Sequence, residues 1–297
     1  MPRSSPIISP ADLAKRLGDP GLRIVDVRWV LGSPGSGRVA YDAGHLPGAI
    51  FLDLDTDLVA TEGPGRHPLP SPAAFQARLA AAGIGTEHDV VAYDDVGGWV
   101  AARLWWMLDD LGHDRVAVLD GGFPAWVAEG HPVSRSLPEF PWARLELADR
   151  WTKTLDRAGV AAGLGRMVLL DARGGPRYRG ETEPIDPVPG HIPTARNAPT
   201  DGNLGPDGRL LAADQLRARF RGLGADGSEG PVVTSCGSGV SACFNSLAMR
   251  VAGLPDPILY PGSYSDWSRS GMPIATGPDP GDAPGDAPTD PGATAAR

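Results

Sequence analysis

The feature that most constrains this chain is an internal repeat, since the same four sequence blocks occur twice, displaced by about 145 residues. The first two pairs are LRIVDVRWV (22–30) with MVLLDARGG (167–175), and AGHLPGAIFLDLD (43–55) with PGHIPTARNAPTD (189–201). The other two are DVVAYDDVGGWVAARLWWMLDDLG (89–112) with PVVTSCGSGVSACFNSLAMRVAGL (231–254), and VLDGGFPAWVAEGHPV (118–133) with LYPGSYSDWSRSGMPI (259–274). Four blocks in one order indicate a tandem duplication, so the chain is expected to fold as two similar units.

Each copy alternates short apolar strands, such as Val116–Leu119, with helical stretches such as 71–83 and 212–224. This alternation predicts an α/β fold in which each unit is a mostly parallel sheet with helices on both faces. We expect an N-terminal domain over residues 1–135, a linker over 136–150 and a C-terminal domain over 151–276. Residues 277–297 are mostly Gly, Pro, Asp, Ala and Thr without an apolar period, which predicts a disordered tail.

Composition narrows the class of protein. With 41% hydrophobic and 21% charged residues the chain is typical of a soluble globular protein, and no apolar run is long enough to cross a bilayer. The first 25 residues carry prolines and charges where a signal peptide needs an apolar core, so a cytoplasmic location is expected. The net charge of −9, without a basic run, argues against nucleic-acid binding but leaves a small anionic substrate open.

A glycine-rich loop in the second copy, VVTSCGSGVSACF (232–244), carries the strongest chemical signal. Cys236 follows an apolar strand, and ligands of parallel sheets bind beyond the carboxyl ends of the strands. Gly237 and Gly239 let the backbone curl around the sulfur, where amide groups from residues 237–242 and a helix beginning near Ser241 would favour a thiolate. Cys243 is expected to pack in the core, because seven residues along a helix place it about 10 Å away, too far for a disulfide.

These motifs together resemble the tandem-domain rhodanese sulfurtransferases, the family of thiosulfate sulfurtransferase and 3-mercaptopyruvate sulfurtransferase. The resemblance runs from about Ile7 to Ala275 and rests on GHLPGA, RLWWML, LDGGFPAW, RYRGETEP, GHIP and CGSGVSAC. It implies a catalytic cysteine in the C-terminal copy only, and the first copy has Asp94–Asp95 at that place. It also implies a ping-pong reaction through a cysteine persulfide that needs no metal and no organic cofactor.

The resemblance assigns roles to further residues. Ser238 is grouped in the mercaptopyruvate type with an aspartate and a histidine of the N-terminal copy, which match Asp55 and His67 here; a structural role for this pair is an equal alternative. Arg177 matches the arginine that binds the donor anion, as a bidentate guanidinium suits. The remaining binding residues are those of the loop: Gly237, Gly239, Val240, Ser241 and Ala242.

Several conspicuous residues are interpreted as structural. The motif Asp26-x-Arg28 of the first copy recurs as Asp171-x-Arg173 in the second, and His45 recurs as His191. Because the first copy has these residues but no catalytic cysteine, we interpret them as structural. Trp105 and Trp106 are expected in the core. Arg103 either lies near the cleft between the domains or pairs with Asp109 or Asp110.

The donor is not settled by these patterns. Gly237 and Ser238 stand where thiosulfate-specific relatives have Arg and Lys, which favours 3-mercaptopyruvate. However, Asp186 stands where mercaptopyruvate enzymes often have a second carboxylate-binding arginine, and an acid there is expected to repel a carboxylate. Arg196 or Arg103 is then a candidate for the missing charge. Thr194 also departs from the family, which usually has glycine there.

Two other classes of function remain as alternatives. A phosphatase on this fold needs Cys-x5-Arg, but Ala242 occupies the arginine position. A non-catalytic binding module predicts an unreactive Cys236. For the enzyme, the partners are a small anionic sulfur donor and an acceptor such as cyanide, a small thiol or a reduced thioredoxin-like protein, among which the sequence does not choose.

Overall fold

The computed structural model describes residues 5–284, and these form two sheets with the secondary structure expected of a duplicated chain. The first half contains β1 (Ile7–Ile8), α1 (Pro10–Ala14), β2 (Leu22–Asp26), α2 (Ser36–Ala43), β3 (Ala49–Phe51), α3 (Leu54–Asp57), α4 (Pro72–Ala81), β4 (Asp89–Tyr93), α5 (Ala101–Asp110), β5 (Val116–Leu119) and α6 (Gly122–Ala128). The second half contains α7 (Arg157–Gly163), β6 (Val168–Asp171), α8 (Gly175–Tyr178), β7 (Arg196–Asn197), a 3-10 turn (Thr200–Asn203), α9 (Ala213–Gly222), β8 (Val232–Ser235), α10 (Ala242–Val251), β9 (Ile258–Leu259) and α11 (Ser263–Trp267).

Both sheets have the same topology. The first has the strand order β1-β5-β4-β2-β3 and the second β7-β6-β8-β9, and all neighbouring strands within each sheet are parallel. The second sheet has one strand fewer, but Thr154 forms a parallel bridge with Leu259 where the first sheet has β1 beside β5. The duplication is therefore visible in the register of the backbone as well as in the sequence.

Helices cover both faces of each sheet, because successive strand residues point to opposite sides. In β4, Val90 and Ala92 pack into the cluster that contains Phe75 of α4, whereas Val91 and Tyr93 pack into the cluster that contains Trp126 of α6. The second sheet is divided in the same way, between a cluster with Trp267 of α11 and a cluster with Phe220 of α9. The predicted fold class is confirmed.

One buried hydrophobic cluster extends across both domains. Helices α5 and α10, the equivalent helices of the two copies, pack against each other across the domain boundary. Leu104 and Met107 of α5 lie in one buried cluster with Phe244 and Leu247 of α10. Cys236 belongs to the same cluster, so the loop that carries it lies where the domains meet. Trp105 and Trp106 are buried in this core, as expected.

The recurrent polar residues hold equivalent corners of the two domains. Arg28 Nη2 lies 2.6 Å from Asp26 Oδ2 and Arg173 Nη2 lies 2.6 Å from Asp171 Oδ2, both pairs buried. His45 Nδ1 is 2.8 Å from the carbonyl oxygen of Tyr41 and stacks on its ring. His191 repeats both contacts with Tyr178. These residues act as the predicted structural supports.

The segment expected to be a linker and the start of the expected tail both pack against the domains. Within 136–150, the amide of Ala143 donates to the carbonyl of Ala80, and Leu145 is buried. Within 277–284, the carbonyl of Pro280 accepts from the amide of Thr194 at 2.6 Å. Disorder is therefore the wrong expectation for 277–284; the rest of that tail, 285–297, lies outside the described residues. No helix in the described part of the chain is long and apolar enough to cross a membrane.

Candidate active site

Cys236 lies directly after β8, in a loop whose backbone curls around its sulfur. The amides of Ser238 and Gly239 donate to Cys236 Sγ at 3.4 and 3.1 Å. Gly239 has φ +77°, and a Cβ atom there would lie 2.4 Å from the carbonyl oxygen of Pro261, so only glycine fits. Two amide donors at a buried sulfur stabilise negative charge on it, which is what a nucleophilic cysteine needs.

The first residues of α11, which follows β9, hold this loop in place. The amide of Cys236 donates to Ser263 Oγ at 3.1 Å, and the carbonyl of Cys236 accepts the amide of Tyr264 at 2.9 Å. The amide of Ser265 donates to the carbonyl of Gly237 at 2.9 Å. Ser263 has φ +51°, an uncommon conformation for a residue with a side chain. The backbone of Cys236 is therefore held by a second element, independently of the Cys236 side chain.

The structure brings Ser238, His67 and Asp55 together across the domain boundary, as the resemblance implies. Ser238 Oγ lies 2.7 Å from His67 Nδ1, and His67 Nε2 lies 3.5 Å from Asp55 Oδ1. Burial lowers the pKa of His67 to about 4, an effect that Arg103 and Arg66 reinforce and the Asp55 carboxylate opposes. The imidazole is therefore neutral at pH 7. With the Nε2 proton facing Asp55, Nδ1 is the acceptor for the Ser238 hydroxyl.

Trp29 supports this group, and sequence reasoning missed it. Its Nε1 donates to Asp55 Oδ2 at 2.8 Å, and its ring packs edge-on against His67 with centroids 5.4 Å apart. Trp29 follows the Asp26-x-Arg28 motif at the carboxyl end of β2, the edge at which ligands of parallel sheets bind. That position is the only signal in the sequence that could have identified it.

Arg103 lies between the domains beneath the loop, the first of the two places considered for it. Its side chain is fully buried, and it donates to the Gly239 carbonyl at 3.0 Å and to the His67 carbonyl at 3.1 Å. Burial lowers its pKa. Asp109 pairs instead with Lys153 and Arg250. Arg103 thus connects the backbone of His67 with that of the cysteine loop.

A cavity of about 290 Å³ opens in front of the sulfur. Its lining includes Cys236, Ser238, Val240, Ser241, His67, Arg66, Arg177, Trp29 and Trp99. Arg177 lies in α8, the helix that follows β6. Its Nη1 is 3.5 Å from the point where a Cβ on Gly237 would lie. A small anion in this cavity would contact the guanidinium of Arg177 while its reactive atom faced the sulfur.

The other predicted residues lie as follows. Ala242 begins α10, and within the described structure its amide makes no hydrogen bond to Sγ. Arg196 pairs with Glu229, outside the lining of the cavity, so it is not the missing charge. Cys243 is buried and unpaired with Cys236, and burial raises its pKa to about 12. A larger cavity of about 650 Å³, bounded by Tyr260, Pro261 and α7, has no cysteine in its lining.

In the first copy, Asp94 occupies the place of the cysteine and fills the loop itself. Its Oδ1 accepts the amides of Val96 at 3.0 Å and Gly98 at 2.8 Å, and its Oδ2 accepts those of Val100 at 2.8 Å and Ala101 at 3.0 Å. The side chain is fully buried. The equivalent loop of the N-terminal domain is therefore an anion site already occupied by a carboxylate of the same chain.

Comparison with known proteins identifies the family to which this chain is similar. The Rhodanese-like domain family matches residues 9–129 and 155–270. The chain is 43% identical over 281 residues to a probable 3-mercaptopyruvate sulfurtransferase of Pseudomonas aeruginosa, covering 92% of this chain and 99% of the relative. It is 41% identical over 273 residues to a putative thiosulfate sulfurtransferase, SseB, of Mycobacterium tuberculosis, covering 90% and 95%.

Solved structures agree as well. The 3-mercaptopyruvate sulfurtransferase of Leishmania major superposes with a TM-score of 0.77 at 33% identity, over 88% of this chain and 74% of that one. SseA of Escherichia coli, a 3-mercaptopyruvate sulfurtransferase, superposes with a TM-score of 0.77 at 29% identity, over 88% of this chain and 100% of that one. This chain belongs to the rhodanese family and is a tandem-domain sulfurtransferase.

Proposed function

We propose that this sulfurtransferase takes its sulfur from 3-mercaptopyruvate, carries it as a persulfide on Cys236, and passes it to a thiophilic acceptor. The names of its relatives do not choose the donor, because the two most similar ones described above are named for different donors. The observation that carries the choice is the hydrogen bond of 2.7 Å between Ser238 Oγ and His67 Nδ1, beside the sulfur.

The chemistry of the donor explains why this hydrogen bond matters. The Cys236 thiolate attacks the sulfur of 3-mercaptopyruvate, an S–S bond forms, and the C–S electron pair leaves as the enolate of pyruvate. The proton on the transferred sulfur is lost to give a persulfide anion, and one proton is added to the methylene carbon of the enolate. Ser238 and His67 share one proton between Oγ and Nδ1. This pair can accept the proton from the transferred sulfur and deliver a proton to the methylene carbon of the enolate.

Thiosulfate makes no such demand. Attack of the thiolate on its outer sulfur releases sulfite directly, with no carbon to protonate. Relatives specific for this compact dianion carry Arg and Lys in the cysteine loop itself, where this chain has Gly237 and Ser238; the arginines of this cavity, Arg66 and Arg177, lie outside the loop. A buried, neutral histidine hydrogen-bonded to a serine is thus of use to one donor and of little use to the other.

The acceptor and the location belong to the same proposal. A cytoplasmic enzyme would meet small thiols and reduced thioredoxin-like proteins, and either can attack the outer sulfur of a persulfide, as cyanide does. The Ser238–His67 pair does not favour a thiosulfate-preferring enzyme, and relatives named as sulfurtransferases do not favour a non-catalytic module.

The test compares both donors in wild type, Ser238→Ala and His67→Asn, with Ser228→Ala as a matched serine control on an exposed turn. We expect kcat/KM for 3-mercaptopyruvate, measured as pyruvate release, to fall about 100-fold or more in both site variants, as loss of acid–base catalysis does, and kcat/KM for thiosulfate to change little. Equal losses for both donors would overturn the assigned role of Ser238 and His67. A wild type that prefers thiosulfate would overturn the donor, and mass spectrometry of Cys236→Ser checks where the persulfide forms.

A further inference from the structure

Arg103 is a buried cation without a carboxylate beside it. Its side chain is fully buried, and among the described residues the only charges that act on its guanidinium group are those of the thiols Cys243 and Cys236. Its Nε is buried without a hydrogen-bond partner in the same part of the chain. Burying a charge is unfavourable unless the charge is paired, so stability alone does not account for an arginine here.

The two hydrogen bonds of Arg103 end on either side of one contact between the domains. Nη2 donates to the carbonyl of His67 at 3.1 Å, and Nη1 donates at 3.0 Å to the carbonyl of Gly239, the residue after Ser238. The contact itself is the hydrogen bond between His67 Nδ1 and Ser238 Oγ. Over the described backbone, no main-chain hydrogen bond joins 65–67 directly to 237–239. The guanidinium group therefore bridges the two main chains that carry this pair.

The second copy has a shorter residue at the equivalent position. When the repeated blocks are aligned, Arg103 corresponds to Asn245. Asn245 is also buried, but its Nδ2 donates to the carbonyl of Ala198 at 2.9 Å and its Oδ1 accepts from Asn203 at 2.7 Å. These contacts stay within the C-terminal domain. The side chain that crosses the boundary thus belongs to the helix that packs beneath the cysteine loop of the other domain.

The charge of Arg103 also acts on the imidazole of His67. Burial, together with the nearby guanidinium groups of Arg103 and Arg66, lowers the pKa of His67 to about 4 against the attraction of the Asp55 carboxylate. These charged groups face the ring from α5, from its own loop and from α3, and the indole and the serine hydroxyl that also contact it are uncharged. A protonated imidazole has no acceptor, so the serine hydroxyl can donate only to the neutral ring.

We propose that Arg103 is the positioning residue of the acid–base pair, which holds the main chains of His67 and Gly239 together across the domain boundary and keeps the imidazole unprotonated. The inference rests on the proposed function for the use of this pair on 3-mercaptopyruvate, but the effect of Arg103 on His67 can be measured without any donor. Because α11 also holds the backbone of Cys236, loss of Arg103 should leave the sulfur in place.

The donor-independent test is an NMR titration of histidine-labelled protein from pH 8 to pH 5, in which the His67 signal is the one missing from His67→Asn. Arg103→Met removes the charge, so His67 should become protonated about one pH unit higher than in wild type, whereas Arg103→Lys should resemble wild type. Arg23→Met is the matched control, since Arg23 is buried, donates to the carbonyls of Gly83 and Pro20, and lies outside the lining of the cavity. An unchanged His67 titration in folded Arg103→Met would overturn the proposal.

Steady-state kinetics then test whether Arg103 acts through His67. In Arg103→Met, kcat/KM for 3-mercaptopyruvate should fall about 10-fold, mainly through kcat, with thiosulfate turnover little changed and part of the loss recovered in Arg103→Lys. The double variant with His67→Asn should be no worse than His67→Asn alone.

The melting temperature reports whether each variant is folded. Single losses that multiply in the double variant, or an equal loss in Arg23→Met, would refute the positioning role, because Arg103 would then act on the fold as a whole. If His67→Asn keeps full turnover of 3-mercaptopyruvate while Arg103→Met shifts the His67 titration, the proposed function fails and the action of Arg103 on His67 stands.

Discussion

Replacing His67 should change how the stability of the protein depends on pH. Burial lowers the pKa of His67 from 6.5 to about 4 in the folded protein, so the unfolded chain binds the extra proton first as pH falls. The contribution to stability is complete above pH 6.5 and is lost progressively as pH falls toward 4. Between pH 7 and pH 5 the free energy of unfolding should fall by roughly 2 kcal/mol on account of this residue alone.

Urea unfolding of wild type and His67→Asn at pH 7, 6 and 5 measures the effect. Asparagine keeps an acceptor near Ser238 but does not titrate. The free energy of unfolding of wild type minus that of His67→Asn should therefore decrease by roughly 2 kcal/mol from pH 7 to pH 5. In Asp55→Asn, which removes the carboxylate that opposes the low pKa, the loss should continue below pH 4. Parallel pH profiles for wild type and His67→Asn would refute the reasoning, because they would mean that His67 is not desolvated.

Three further substitutions test other contacts. Trp29→Phe removes the donor to Asp55 and keeps the ring against His67, so kcat/KM for 3-mercaptopyruvate should fall roughly 10-fold with thiosulfate turnover unchanged in a parallel assay. Arg103→Leu removes the guanidinium donors to the buried carbonyls of His67 and Gly239, of which Gly239 keeps the Cys243 thiol as a donor, and should cost about 2 kcal/mol in urea unfolding. Thr194→Gly should stabilise the protein by up to about 1 kcal/mol in the same assay, because Thr194 is held at φ +68°, where a side chain is strained.

The fold was accessible from the sequence because it depends on patterns within short segments. The repeated blocks predicted two equivalent sheets, and the apolar run Val116–Leu119 matches β5 as observed. The helices expected at 71–83 and 212–224 are α4 and α9, each shorter by one or two residues at its ends. Glycine spacing in the cysteine loop likewise predicted a backbone wrapped around the sulfur.

Contacts between the domains could not be predicted in this way. Arg66 pairs with Asp186 across 120 residues, and Arg103 bonds Gly239 across 136, so neither partner leaves a local pattern in the sequence. The sequence shows the charge of Asp186 but not that Arg66, Arg177 and Arg269 pair with it. Residues 277–284 were misjudged for a similar reason, since their composition does not show that Thr194 donates its amide to Pro280.

The loop of the N-terminal copy predicts where the outer sulfur of the Cys236 persulfide lies. Asp94 and Cys236 occupy equivalent positions, and a carboxylate oxygen lies two bonds beyond Cβ, as the outer sulfur of a cysteine persulfide does. Asp94 Oδ2 accepts the amide of Val100, and Oδ1 accepts those of Val96 and Gly98. The amides equivalent to those of Gly98 and Val100 in the C-terminal loop belong to Val240 and Ala242.

Within the described residues, Sγ of Cys236 takes only the amides of Ser238 and Gly239, which leaves those of Val240 and Ala242 for an atom farther out. We therefore expect the structure of the persulfide form to show the outer sulfur within hydrogen-bond reach of these two amides. An outer sulfur directed away from them, toward Trp99, would contradict the equivalence. In that case the loop of the N-terminal copy would be a structural anion site with no bearing on catalysis, although both copies derive from one ancestral loop.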